Sequence, residues 1–341
     1  MAKLILYAPN VHTGGGKSLL LPLLKVLKSY DCKLILDTRL ENIADQSNTI
    51  LKVKPTFMSR YKAEVVLKKS CKKGDIVLCF HSLPPIFKND AKVLVYFHNK
   101  HLIGSRRLIL NETPRVIFRL TLERILAWLF YKNVDEYFVQ TSTMMKNFEF
   151  YYSKKMSKVS IFSYTDSNAY LNTKRNIDKD LDFIYVSEGP MHKNHLMLIK
   201  AWVLLAKEGL FPKLTLTLSS DNHLIINDIN KNIKMHKIKI ENLGYIDANK
   251  VLKLYSNAKA LIFPSLMESF GLPLIEAKFI GLPILASELD YVRDVCSPVE
   301  TFDPKSEISI ARAVKRFLKI SQNDKQSHSA EDFATHILKN F

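Results

Sequence analysis

Short apolar runs bounded by turn residues alternate along the chain with longer segments whose apolar positions recur at helical spacing. In the first half the runs fall at 3–8, 33–36, 76–80, 93–98 and 136–140, and in the second at 183–187, 214–219, 238–243, 260–264 and 283–287. They are β-rich and apolar throughout rather than alternating, which predicts strands buried on both faces, and hence parallel sheets with crossover helices. The fold class that follows is α/β, with two Rossmann-like layers.

Residues 163–180 (SYTDSNAYLNTKRNIDKD) are polar with few large apolar side chains and read as the connection between the layers. The expected organisation is a first domain over 1–165, a linker over 166–180 and a second domain over 181–325. A C-terminal helix over 326–341 is expected to pack back on the first domain. A length of 341 residues suits two domains of roughly 150 each. No repeat or low-complexity tract suggests a solenoid or propeller. Ligands of such sheets bind beyond the C-terminal strand ends, so the expected site is a cleft between two facing domains.

Charge adds a partner to this picture. The formal net charge is +17, and it is uneven: residues 1–170 carry 27 basic and 13 acidic side chains, the remainder 23 and 20. An anionic partner is expected on the first half. Nucleic acid is not expected, since no helix-turn-helix, zinc finger or RNP-like aromatic motif accompanies the charge. Cys32, Cys71, Cys79 and Cys296 stand far apart, which predicts neither a zinc site nor a disulfide framework and suits a reducing cytoplasm. The run at 4–8 is too short for a signal-peptide core, and no stretch approaches the ~20 apolar residues of a membrane span. Any membrane contact is expected to be peripheral.

Two segments carry candidate chemistry. Asn10-Val-His12-Thr-Gly14-Gly15-Gly16-Lys17-Ser18 follows the first run and precedes a helical segment at 19–27, so its glycines can bring backbone N–H groups to an anion at a helix N-terminus. It is not a Walker A loop, because Val11 stands where that motif needs glycine. The sharper segment is Phe263-Pro-Ser-Leu-Met-Glu268-Ser269-Phe270-Gly271-Leu272-Pro-Leu-Ile-Glu276-Ala, after a buried run. Its glycine turn leads into a helix, with one carboxylate at the mouth and one inside. The amides of Ser269 to Leu272 can face an anion while Glu276 accepts from a diol.

Glu268-Ser-Phe-Gly-Leu-Pro-Leu-Ile-Glu276-Ala, continuing into Gly281-Leu-Pro-Ile-Leu-Ala-Ser, closely resembles the E-x7-E signature of the retaining glycosyltransferases of family 4, which have the GT-B fold. Tyr96-Phe-His98-Asn99, Val139-Gln-Thr141, Tyr185-Val-Ser-Glu-Gly-Pro-Met-His-Lys193-Asn-His and Gly244-Tyr245-Ile extend the resemblance over nearly the whole chain. Some of these are similar to the bacterial surface-polysaccharide branch, of O-antigen or capsule type. The resemblance implies a catalytic set of His98, Lys193 and Glu268. It also implies donor binding by Gly14, Gly15, Gly16, Lys193, Tyr245, Ser269, Phe270, Gly271, Leu272 and Glu276. Glu276 would hold the donor ribose, the Ser269 to Leu272 amides and Lys193 the diphosphate, and Glu268 the transferred sugar. Much of the family has arginine five residues before the lysine; Glu188 stands there, and Lys17 is a candidate substitute.

The activity so implied is metal-independent, retaining transfer of a hexose-type sugar from a GDP- or UDP-linked donor to a polyprenyl-diphosphate-linked glycan, with no other cofactor. The alternatives are a nucleotide-sugar 2-epimerase-like isomerase and a non-catalytic nucleotide-binding homologue. Asp180-Leu-Asp182 falls at the linker and a strand entry and reads as chance rather than as a metal motif. Over 115–131 apolar residues recur at helical spacing, and Arg106, Arg107, Arg115, Arg119 and Arg124 lie on or before the segment. A basic amphipathic helix with Trp128 can lie on an anionic bilayer, but the apolar face is so broad that the expectation is burial against the sheet, with only the arginines exposed. With Lys68, Lys69, Lys72 and Lys73 they would dock the enzyme on an anionic membrane surface, at the cytoplasmic face of the cell membrane.

Overall fold

The structure, a computed structural model, describes residues 3–40, 50–103, 114–152, 158–165, 170 and 181–319. The first sheet has seven strands in the order β3-β2-β1-β4-β5-β6-β7: β1 (Leu4–Ala8), β2 (Cys32–Asp37), β3 (Ile50–Val53), β4 (Ile76–Cys79), β5 (Lys92–Phe97), β6 (Glu136–Val139) and β7 (Lys158–Ile161). The second has six in the order β10-β9-β8-β11-β12-β13: β8 (Leu181–Tyr185), β9 (Leu214–Leu216), β10 (Ile240–Asn242), β11 (Ala258–Phe263), β12 (Ile284–Ser287) and β13 (Glu300–Phe302). Every pairing is parallel, as in Tyr7 opposite both Ile35 and Cys79.

The apolar strands divide their side chains between two cores. Along β1, Leu6 and Ala8 face α1 (Gly14–Leu27), packing on Leu20, Leu24 and Leu27. Ile5 and Tyr7 face the other way, into a core shared with Ala63 and Leu67 of α2 (Phe57–Ser70), Leu120 of α3 (Pro114–Leu129) and Phe148 of α4 (Ser142–Tyr152). This period of two on a doubly covered sheet is why each strand reads as continuously apolar. In the second sheet a single core takes Leu198 and Trp202 of α5 (His195–Lys207), Leu274 of α8 (Leu272–Ile280) and Ile310 of α10 (Glu307–Phe317). Helices α6 (His223–His236), α7 (Ala248–Asn257) and α9 (Asp290–Arg293) complete it.

Three strands escape the sequence reading: β3, β7 and β13. Among the described residues all are sheet edges of three or four residues, where charged side chains such as Lys52, Lys158 and Glu300 are tolerated, so they lack the continuous apolar run of an interior strand. Helix α1 starts at Gly14 rather than near residue 19. Its glycines occupy the first turn, where backbone N–H groups have no partner inside the helix; the rest of α1 offsets their poor helix propensity.

The expectation for 115–131 needs correction. Helix α3 forms, but Phe118, Leu122, Ile125, Trp128 and Leu129 are exposed, while Arg124 and Glu123 are buried. The Arg124 guanidinium turns inward and donates to the His101 carbonyl, through Nε at 2.8 Å. The narrow inner stripe of Leu120, Glu123, Arg124 and Ala127 covers the sheet, and the wider apolar stripe is left outside. Arg115 and Arg119 are exposed as expected; Arg106 and Arg107, most of the linker 166–180 and the C-terminal helix at 326–341 lie outside the described residues.

Candidate active site

The site is built on the loops after β8 and β11. Asn194 takes a left-handed backbone (φ 65°) at the junction of the 3-10 turn Met191–Lys193 with α5, and its amide donates to the carbonyls of Pro264 and Pro304 at 3.0 and 2.7 Å. Leu266 N donates to the His192 carbonyl at 2.8 Å, and the Tyr185 hydroxyl donates to the Lys193 carbonyl at 2.8 Å. These bonds lock the two loops together. They place Lys193 Nζ 2.6 Å from Glu268 Oε1, which also accepts from Ser265 Oγ at 2.6 Å.

Gly271 enters α8 with φ 74°, a conformation glycine adopts without strain. No side chain caps this helix, its first turn has no acid, and proline stands at its start. The positive end of its dipole therefore faces Glu268, Ser269 and Phe270, with the Glu268 side chain close beside it. One turn inside, both Glu276 oxygens are engaged: Tyr255 donates at 3.0 Å and Tyr170, from the interdomain stretch, at 3.3 Å. Burial pushes the Glu276 carboxyl above its usual range, and the two hydroxyls oppose the shift.

The first domain meets this motif directly. A Cβ on Gly15 would stand 3.7 Å from Leu272 Cδ1, so the glycine turn faces the start of α8. Gly16 is pressed against His98, whose Cε1 would be 2.9 Å from an added Cβ. His98 Nε2 lies 3.0 Å from the Phe80 carbonyl, which can only accept; the proton therefore sits on Nε2 and Nδ1 is the lone-pair nitrogen. Burial lowers the His98 pKa, keeping the ring neutral. Across the cleft the rings of His101 and His192 meet edge to face at 5.1 Å, Lys100 lies over the Tyr291 ring, and Thr143 N donates to Asp294 at 2.8 Å.

The structure thus gathers Gly15, Gly16, His98, Lys193, Glu268 and the 269–272 turn along one cleft. Tyr245 lies on the loop after β10 and is 72% exposed. Lys17 lies half-buried in the first turn of α1. Glu188 accepts from Ser219 Oγ at 3.0 Å and takes no cationic role. Asp182 accepts from Lys213 N and Lys259 Nζ, which accounts for it structurally. Sequence reasoning missed Ser265, Lys100, His101 and His192, although each lies within three residues of a residue it had singled out. It also missed Tyr170 and Tyr255, which no local pattern marks.

Residues 169–334 match the family described as Glycosyl transferases group 1. The chain is 34% identical over 80 residues to the O-antigen chain mannosyltransferase RfbU of Salmonella typhimurium, 23% of each chain. It is 36% identical over 56 residues to O-antigen chain mannosyltransferase B of Escherichia coli, 16% of this chain and 15% of that one. These alignments span less than a quarter of either relative's length. Among solved structures, sucrose-phosphate synthase from Thermosynechococcus elongatus superposes with a TM-score of 0.69 at 14% identity, over 94% of this chain and 90% of that one. The lipopolysaccharide outer core galactosyltransferase WaaB superposes at 0.61 with 15% identity, and Anabaena HepE with UDP-glucose at 0.63 with 13%, both over 94% and 90%. The fold is GT-B.

Proposed function

We propose that this protein is a retaining glycosyltransferase that moves a hexose from a nucleotide sugar to a polyprenyl-diphosphate-linked glycan in O-antigen or capsule synthesis, without a metal. The observation that carries the reading is the Lys193–Glu268 pair at the positive end of α8, facing the glycine turn of the opposite domain. Departure of a nucleoside diphosphate leaves an oxocarbenium-like sugar and concentrates negative charge on the leaving oxygens, so fixed cations and amides lower the barrier. Lys193 and the 269–272 amides supply them. Glu268 takes the sugar hydroxyls, and Glu276 takes the ribose diol once a tyrosine hydroxyl yields an oxygen.

In the transfer step the bond from C1 to the phosphate oxygen breaks and a bond from C1 to the acceptor oxygen forms on the same face. The acceptor proton passes to the departing diphosphate, so no protein nucleophile is needed. His98, neutral and with Nδ1 as acceptor, orients a sugar hydroxyl. Mannose is the first sugar to try, because both curated relatives are named for it, and HepE's complex makes UDP-glucose the second. A lipid-linked acceptor places the enzyme on the cytoplasmic face of the membrane.

The test is incubation with GDP-mannose, UDP-glucose and UDP-galactose, with and without bacterial lipid extract, following free nucleoside diphosphate and labelled lipid. Lipid-dependent release and an α-linked product are expected from an α-linked donor. Epimerised donor without acceptor, or no turnover of any donor, defeats the proposal.

A further inference from the structure

Helices α2, α3 and α4 cover the same face of the first sheet, and Arg60 of α2 lies within electrostatic reach of Glu123 of α3. On their outer side both α2 and α3 expose large apolar side chains: Phe57, Met58 and Tyr61 on the first, and Phe118, Leu122, Ile125, Trp128 and Leu129 on the second. Phe118 is 74% exposed and Trp128 60%. Positions 118, 122, 125 and 129 follow a helical repeat, so they form one stripe rather than scattered exposures.

The exposed charges carried by these two helices are all basic, although Lys68 of α2 pairs with Asp90 of a neighbouring loop and α4 carries the exposed Glu149. Glu64 is the sole acid of α2 and Glu123 the sole acid of α3, and both are buried. The outer faces carry Lys62 and Lys69 on α2 and Arg115 and Arg119 on α3. A second copy of this chain would bring base against base, which disfavours self-association through this face. A bilayer with anionic headgroups offers negative charge at the rim and hydrocarbon beneath, with an interfacial zone suited to an indole ring.

We infer that the outer faces of α2 and α3 seat the protein on an anionic bilayer by shallow insertion of their apolar stripes, with the arginines and lysines as the electrostatic rim. The inference differs from docking by arginines alone, and it needs no nucleotide sugar. Failure of sugar transfer therefore leaves it standing, and failure of vesicle binding leaves the transferase reading to its own assay. Arg124 ties α3 to the His101 carbonyl, so the docked face is linked to the cleft.

The chain has two tryptophans, and Trp202 is 1% exposed in the other domain, so Trp128 reports on this face alone. The full chain is titrated with vesicles of phosphatidylglycerol and phosphatidylethanolamine, with phosphatidylcholine as the neutral control, and Trp128 emission and co-sedimentation are read. Expected are a shift of emission to shorter wavelength and quenching by bromine-labelled acyl chains with the anionic vesicles, absent in Trp128→Phe. The double variants Phe118→Ser/Leu122→Ser and Phe57→Ser/Met58→Ser should partition about a hundredfold less with unchanged circular dichroism. Trp128 emission that ignores anionic vesicles overturns the inference, as does wild-type partition of both double variants. So does an emission shift that follows protein concentration without lipid, which would assign the face to a second copy. An emission already at short wavelength that moves to longer wavelength when residues 320–341 are removed would assign it to the chain's own C-terminal segment.

Discussion

Lys193 Nζ and Glu268 Oε1 stand 2.6 Å apart across two loops that the sequence separates by 75 residues, and both side chains are largely buried. Neither charge is free for substrate in this arrangement. On the proposed transferase reading, a bound donor would redistribute the pair, Lys193 towards phosphate and Glu268 towards the sugar.

Removing either partner leaves the other charge uncompensated, which is costly in a buried setting. Lys193→Ala is expected to lower kcat/KM by about a hundredfold or more, the range found when one donor to a developing anion is lost. Glu268→Gln should preserve nucleotide binding and lower kcat. Calorimetry with nucleoside diphosphate alongside turnover separates the two effects; equal loss of binding in both variants contradicts the division of roles.

At Glu276, the proposed ribose ligand, Tyr170 holds an oxygen that a diol would need. Tyr170→Phe is expected to tighten nucleoside diphosphate binding several-fold, and Glu276→Ala to weaken it by at least about tenfold, the cost of one charge-assisted hydrogen bond. Both are read as dissociation constants. Unchanged binding in Glu276→Ala would remove this residue from the donor site.

Gly16→Ala tests the contact between the glycine turn and His98. Its Cβ would lie 2.9 Å from His98 Cε1 and 3.3 Å from Val11 Cγ1, and the His98 ring is held by its bond to Phe80. A stability loss of about 1–3 kcal/mol in urea unfolding is expected, as for overpacking, with a larger proportional loss of turnover because the ring is displaced.

Acid stability should be set by buried histidines. Burial holds His192 down at about 4 and both His81 and His195 at about 3, against an ordinary value of 6.5. Between those values the unfolded chain binds protons the native protein does not, so stability is full above about 6.5 and falls as pH drops towards 3. Among the described residues neither ring nitrogen of His195 has a hydrogen-bond partner, and the ring packs on Tyr185. His195→Phe should raise Tm at neutral pH and flatten the decline between pH 6.5 and 4.

What the sequence determined by itself was local or periodic. The interior strands were legible because a doubly covered strand is apolar at every position, and the Glu268 to Glu276 string because a helix mouth with two carboxylates and a glycine turn is contiguous in the chain. Tertiary structure decided what depends on distant partners: that Lys193 pairs with Glu268, that Tyr170 and Tyr255 close on Glu276, and that Glu188 turns to Ser219. It also reversed the faces of α3. Helical spacing shows that an apolar stripe exists, but distant partners fix which stripe the sheet covers: here the inner one includes Arg124, bonded to the His101 carbonyl, and Glu123, within reach of Arg60.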